Sequence, residues 1–301
     1  LEKQQERERK EFIENQNKEL EGKVEQRTQK IVEQKESIEK INKSLTDSIQ
    51  YAQRIQQAIL GEQSRLAEFF PESFILLKPR DIVSGDFFWI GETQGKHVVI
   101  AADCTGHGVP GAFMTVMGQS LLNEIVNKMH IWKPDEILTI LDEKIRFNLH
   151  TDEGGSSDGM DISVLTFDQK ERQLWFSGAK NPLCYLSQGE MTRIKGSSSS
   201  IGGKVGKKGH QYKIHEISYD EGDCCFIFSD GFQDQFGGEE GRKFMSTKFR
   251  KLLVANSELP MQEQKSKLNR RFEEWKGDRR QTDDVLVIGL RLRETREAPG
   301  R

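Results

Sequence analysis

Two periods of apolar residues divide the chain. Over residues 1–60 the period is seven: Val24, Ile31, Ile38, Leu45, Ala52 and Ile59 form one unbroken column. The companion column, Leu20, Arg27, Gln34, Ile41, Ser48 and Ile55, is only half apolar. One strong column beside a mixed one predicts a parallel coiled coil of modest stability, and with it a homodimer. The alternative is a single solvated helix packed on its own domain. Apolar residues crowd in YAQRIQQAIL (51–60), so this segment is expected to pack on the following domain as well as on a partner helix. Gly61 ends it.

From Ser73 the period changes to two. SFILLKP (73–79) and HVVIAAD (97–103) are predicted strands. Further strands are expected at about 160–167, 172–177, 183–187, 191–195, 212–218 and 223–229, with VLVIGLRL (285–292) as the last. Helices are expected at about 111–129, 134–149, 242–255 and 260–276. TDEGGSSDG (151–159) is a predicted loop, and KGSSSSIGGKVGKKG (195–209) a flexible one. Many strands with two helix pairs between them predict an α+β fold, with two packed sheets and helices outside. The expected organisation is a helix over 1–60, a globular domain over 61–293 and a disordered tail over 294–301.

Composition narrows the function. The chain has 301 residues, 31% charged and 35% apolar, and the charge is densest in the first sixty. A net charge of −3 gives no signal for nucleic acid or an anionic membrane. Four cysteines without a CxxC pair suit a reducing cytosol and argue against zinc. No apolar run approaches the roughly 20 residues of a membrane span. A cytoplasmic location is therefore expected, or the cytosolic part of a membrane-anchored sensor. The pattern is already helical at Leu1, so an upstream sensor is expected to precede this chain.

Four acidic sites share one context, each beside Gly or a turn at the edge of an apolar strand. Asp86 lies in SGDFFW, Asp103 follows VVIAA, Asp230 follows CCFIFS, and Asp283 and Asp284 precede VLVIGL. Singly, each would be a turn cap. Together, if the strands pair, their ends can converge, and clustered carboxylates tolerate one another only with cations between them. Hard oxygen ligands without a His or Cys cluster favour Mg²⁺ or Mn²⁺. Two such ions can share and acidify one water for attack on a phosphate, with no protein nucleophile.

SGDFFW (84–89), DCTGHGVPGAFM (103–114), FIFSDGFQDQFG (226–237) and TDDVLVIGL (282–290) resemble, in order and spacing, the SpoIIE-type branch of the metal-dependent protein phosphatases (the PPM, or protein phosphatase 2C-like, family). SIQYAQRIQQAIL (48–60) resembles the helix that precedes that domain in bacterial regulators, and the similarity spans about 45–293. The resemblance implies an αββα sandwich with two Mn²⁺ or Mg²⁺ ions between the sheets. Asp86, Asp103 and the Cys104 carbonyl would hold one ion. Asp103 would bridge to the second, held also by Asp230 and an Asp of the last motif, with Asp283 preferred to Asp284.

Departures from the family accompany the match. Where relatives carry Gly-Asp-Ser-Arg, this chain has SGAKNPLCYL (177–186), without an acid. Asp161 either supplies a third metal site or caps its strand. His107 either protonates a leaving group or merely belongs to a Gly-His-Gly turn. The family's phosphate-binding Arg has no clear match; Lys78 and Arg80 are the candidates. The expected substrate is a phosphoserine or phosphothreonine on a regulatory protein, a STAS-domain anti-sigma-factor antagonist. The helix over about 45–60, with Ala52, Ile55 and Ile59, is expected to be a regulatory switch. The alternatives are an autoinhibited or non-catalytic signalling module and a two-metal nucleotidyl cyclase.

Overall fold

The computed structural model describes residues 2–61, 63–151, 155–156, 158–203 and 210–293. The expected tail (294–301), the middle of the expected flexible loop (204–209) and residues 152–154 and 157 of the loop after the second predicted helix lie outside the described residues. The chain divides into two compact units, Leu1–Tyr51 and Ala52–Arg301. One helix, α1 (Glu2–Leu60), contributes to both. In the first unit Val24, Ile31, Ile38 and Leu45 are all exposed, so the heptad column has no partner among the described residues.

The second unit has four layers. One sheet runs in the order β1 (Ser73–Lys78), β12 (Val285–Arg291), β9 (Cys224–Phe228), β6 (Leu183–Ser187), β7 (Glu190–Ile194). The other runs β2 (Asp86–Thr93), β3 (Lys96–Cys104), β4 (Met160–Asp168), β5 (Gln173–Ala179), β8 (His215–Ser218). Neighbouring strands in both sheets are antiparallel. Phe88, Val99, Ala101, Leu165 and Phe176 of one sheet meet Ile75, Ile227, Leu286 and Ile288 of the other in a core between them. α3 (Gly108–Leu122) and α4 (Pro134–Asn148) cover one outer face through Leu122, Ile137, Leu141 and Ile145. α6 (Ser246–Asn256) and α7 (Met261–Lys276) cover the other through Phe249, Leu253, Leu268 and Phe272. This is the expected αββα sandwich. Strands such as VVIAA are apolar throughout because both of their faces are buried.

The structure corrects several boundaries. The helix expected at 111–129 begins at Gly108 and ends in a π-helical turn, Asn123–Lys128. The strand expected at 212–218 is only β8. The helix expected from 242 begins at Ser246, because Arg242–Lys243 (β11) pairs with Phe236–Gly237 (β10) in a small hairpin. Short helices α2 (Ser64–Phe69) and α5 (Gly231–Asp234) had too few residues to show a period. The described part of the Ser-rich loop is tied down: Ser197 bridges to Ala179 and Ile201 to Met160.

The end of α1 packs on the domain as expected, but not through the apolar residues of its column. Gln56 is only 5% exposed, whereas Ala52, Ile55 and Ile59 face outward. The face that meets the domain carries Gln53, Gln56 and Leu60, and the apolar column is left open.

Candidate active site

β2, β3 and β4 place three carboxylates side by side. Asp86 pairs with Asp103, and Asp103 with Asp161. Directly opposed residues project to one face of a sheet. Two positions along, Phe88 and Ala101 belong to the core between the sheets, so the acids stand at the open end of that core. From the facing sheet, the turn after β9 brings Ser229 and Asp230, and the approach to β12 brings Asp283 and Asp284. Ser229 Oγ donates to Asp86 Oδ2 at 2.5 Å. The Asp230 backbone N–H donates to the Asp103 carboxylate. These bonds tie the two sheets at the site.

Crowding shows in the acidities. Burial, then the charge of Asp103, pushes Asp86 well above the usual carboxylate range. Burial, then Asp230, Asp283 and Asp161, pushes Asp103 up to about 8. Burial, then Asp234 and Asp283, pushes Asp230 up to about 6. Each carboxyl gives up its proton with difficulty unless a cation replaces it.

The two acids of the last motif do different work. Asp284 is buried and braces the loop before β2: its Oδ1 accepts from Arg80 N–H at 2.7 Å and its Oδ2 from Gly85 N–H at 2.7 Å. Burial raises its pKa above the usual carboxylate value, and those two N–H groups hold the rise back. Asp283 is a neighbour that raises the values of Asp86, Asp103 and Asp230.

The turn after β3 carries Gly106 at φ +83° and Gly108 at φ +65°, the left-handed region open to glycine. It is packed from beneath. A Cβ on Gly111 would lie 2.4 Å from Gly106 O, and one on Gly85 2.6 Å from the same atom. Between the glycines, His107 Nδ1 meets Asp81 Oδ2 at 2.8 Å, and both side chains are about half exposed. Asp81 carried no motif, and only folding shows it. The Cys104 thiol faces the helical layer, where burial and then Asp86 push it well above its ordinary value.

The suggested phosphate-binding cations are not brought to the acids. Lys78 Nζ pairs with Glu273 at 2.7 Å and bonds Asn269 Oδ1 at 2.8 Å, on α7. Arg80 reaches the site through its backbone. Sequence reasoning also missed Gln56. Its Nε2 donates to Ser84 O at 2.6 Å, and its Oε1 accepts from Ser84 N–H at 3.1 Å. Thr115 Oγ1 donates to Ser84 O and Gly85 O as well. Asp86 therefore follows a loop gripped by α1, α3 and Asp284.

The donor set fits hard divalent cations. Among the described residues no three His, Cys, Asp or Glu side chains close into a ready-made cage. The donors are carboxylate oxygens, which suit Mg²⁺ or Mn²⁺ retaining several waters rather than zinc.

Known proteins share this fold. Residues 93–293 match the sequence model of the family described as Stage II sporulation protein E (SpoIIE). The SiaA-PP2C domain of Pseudomonas aeruginosa is 34% identical at a TM-score of 0.75, over 83% of this chain and 98% of that one. The RsbU and RsbW domains of Rv1364c from Mycobacterium tuberculosis share the fold at 18% identity and a TM-score of 0.58, over 75% of this chain and 61% of that one. The PP2C domain of SpoIIE from Bacillus subtilis shares it at 15% and 0.59, over 74% and 63%. Curated protein sequences gave no match. Fold and site define a PP2C-type phosphatase domain. The chain belongs to the SpoIIE-type branch of the metal-dependent protein phosphatases, and is by that membership a serine/threonine protein phosphatase. The family match begins at Thr93, so the place of Asp86 rests on the geometry alone.

Proposed function

We propose that this chain removes phosphate from phosphoserine or phosphothreonine on a regulatory protein, a STAS-domain anti-sigma-factor antagonist, under control of its N-terminal helix. The carrying observation is the Asp86–Asp103–Asp161 row facing Asp230 and Asp283 across the sandwich. Similarity to RsbU and RsbW domains favours a partner-switching substrate.

Asp86, Asp103, Asp230 and Asp283 would hold two Mn²⁺ or Mg²⁺ ions, with the Cys104 carbonyl as a further oxygen ligand. When bound, the ions supply an acidified water and neutralise phosphate oxygens. Asp161 already carries the Ser200 hydroxyl at 2.6 Å and the Lys180 ammonium at 3.4 Å, which argues for two ions rather than three. Asp284 positions the loop that presents Asp86. His107, oriented by Asp81, donates a proton to the departing serine or threonine oxygen.

The exposed column of α1 pairs with a second copy of the chain, giving a parallel coiled coil. Movement of that helix reaches the site through Gln56. A cleft of about 310 Å³ beside Gln53, Gln56, Leu60, Ile82, Ser84 and Phe88 leaves room for it. The hold of Gln56 on the Ser84 backbone favours a second reading, that the chain rests in an inactive form until the helix shifts.

The test is hydrolysis of p-nitrophenyl phosphate with Mn²⁺ at roughly millimolar concentration, since open oxygen sites bind weakly. Wild type is compared with Asp103→Asn and Asp230→Asn. Metal-dependent turnover lost in both variants is expected; turnover indifferent to both would overturn the reading. If wild type is silent, activity recovered on deleting residues 1–44 identifies the resting form.

A further inference from the structure

β5 ends at Ala179, and the next residue, Lys180, takes φ +59°. That region disfavours any residue with a Cβ, and Asn or Gly occupies it most cheaply. The turn itself makes no use of a lysine. Its backbone holds it: Lys180 N–H donates to Ser197 O at 2.7 Å, and Asn181 N–H to Ala179 O at 2.7 Å. The Asn181 side-chain amide adds a bond to Asp161 O at 3.0 Å.

The ammonium of Lys180 lies 3.4 Å from Asp161 Oδ1. Asp161 is the cross-strand partner of Asp103, and its charge is felt by both Asp103 and Asp230. Yet Asp161 does not need the lysine as a hydrogen-bond donor, because the Ser200 hydroxyl donates to the same oxygen at 2.6 Å. A distance of 3.4 Å exceeds the roughly 2.7–2.9 Å of a charge-assisted bond, so the N–H donors of Lys180 remain to be given. The side chain is half exposed. Among the described residues Lys180 is the cation that ion-pairs with an acid of the row, while Lys78 and Lys243 are held by Glu273 and Asp234.

We infer that Lys180 is the phosphate-binding cation of the site. Asp161 keeps its ammonium beside the acids without saturating it, and the ammonium donates to a non-bridging oxygen of the incoming phosphoryl group. This rests on the phosphatase reading, in which a phosphate dianion must approach a cluster of carboxylates.

Inorganic phosphate titrated into the Mn²⁺-loaded protein tests it. Wild type is compared with Lys180→Asn, which suits the left-handed turn, Lys180→Gln as a second neutral variant, and Lys180→Arg. Phosphate affinity should fall about tenfold in both neutral variants, the size of one charged hydrogen bond, and recover in Lys180→Arg. With p-nitrophenyl phosphate, the neutral variants should raise KM more than they lower kcat. Unchanged phosphate affinity in the neutral variants, or no phosphate binding by wild type, overturns the inference. Lys180-dependent phosphate binding without hydrolysis under any condition would support the anion site and count against the phosphatase reading.

Discussion

Asp86 and Asp103 stand directly opposite each other across β2 and β3, one carboxylate per strand, on the face turned toward the second sheet. Opposed residues of an antiparallel pair bring their Cβ atoms to about 4.5–5.5 Å, and like charges at that separation destabilise the pairing. The fold therefore holds a repulsion that a cation relieves. Metal binding should release protons. At pH 7 Asp103, pushed up to about 8, is mostly protonated in the metal-free chain. Calorimetry of Mn²⁺ binding in buffers of different ionisation heat should show about one or more protons released per chain. Binding heats independent of the buffer would contradict this.

The same carboxyls set a pH dependence of stability. Asp103 has a folded value of about 8 against an ordinary value of 3.8. Between those limits the folded chain holds a proton that the unfolded chain has lost. The stabilisation is complete below the lower value and is lost as pH rises through the upper one. The metal-free protein should melt roughly 3–8 °C lower at pH 8.5 than at pH 5.5, with Mg²⁺ restoring much of the loss. A melting temperature that rises with pH in EDTA would refute the argument.

Gln56→Ala should separate helix from site. Both lost hydrogen bonds are to the Ser84 backbone, and leaving buried polar groups unpaired costs about 1–3 kcal/mol. The variant should melt lower, yet remain folded, and its Mn²⁺-dependent kcat should change at least about threefold as the loop before Asp86 loosens. Activity equal to wild type at a temperature where both are folded would show that the grip on Ser84 does not reach the site.

His107→Ala distinguishes a proton donor from a turn residue. A phosphoserine peptide, with a poor leaving group, should lose roughly 100-fold in kcat. Hydrolysis of p-nitrophenyl phosphate, whose leaving group needs no proton, should change little. Asp81→Asn should produce a weaker version of the same pattern. Equal losses on both substrates would assign His107 to the turn alone.

Much of this was legible in the chain. The apolar runs around Val98–Ala102 and Val285–Leu290 marked strands, because a sandwich buries both faces of its central strands. The heptad column marked α1 as one long helix. The Asp–turn–Gly contexts marked the acids, because strand ends require turn chemistry that short motifs record. The small hairpin at Phe236–Lys243 was not legible, since two-residue strands have no period.

What the sequence determined by itself was the kind of element and the kind of ligand, since both depend on residues within a few positions of one another. Only the tertiary structure decided which carboxylates share a face, which of Asp283 and Asp284 braces a loop, and which lysine stands beside Asp161 rather than Glu273. Some of those relations join residues far apart in the chain, such as Ser229 with Asp86 and Asp284 with Gly85, and others join residues on neighbouring strands, such as Asp86 with Asp103. Strand register and sheet packing fix them, and neither leaves a local pattern in the chain.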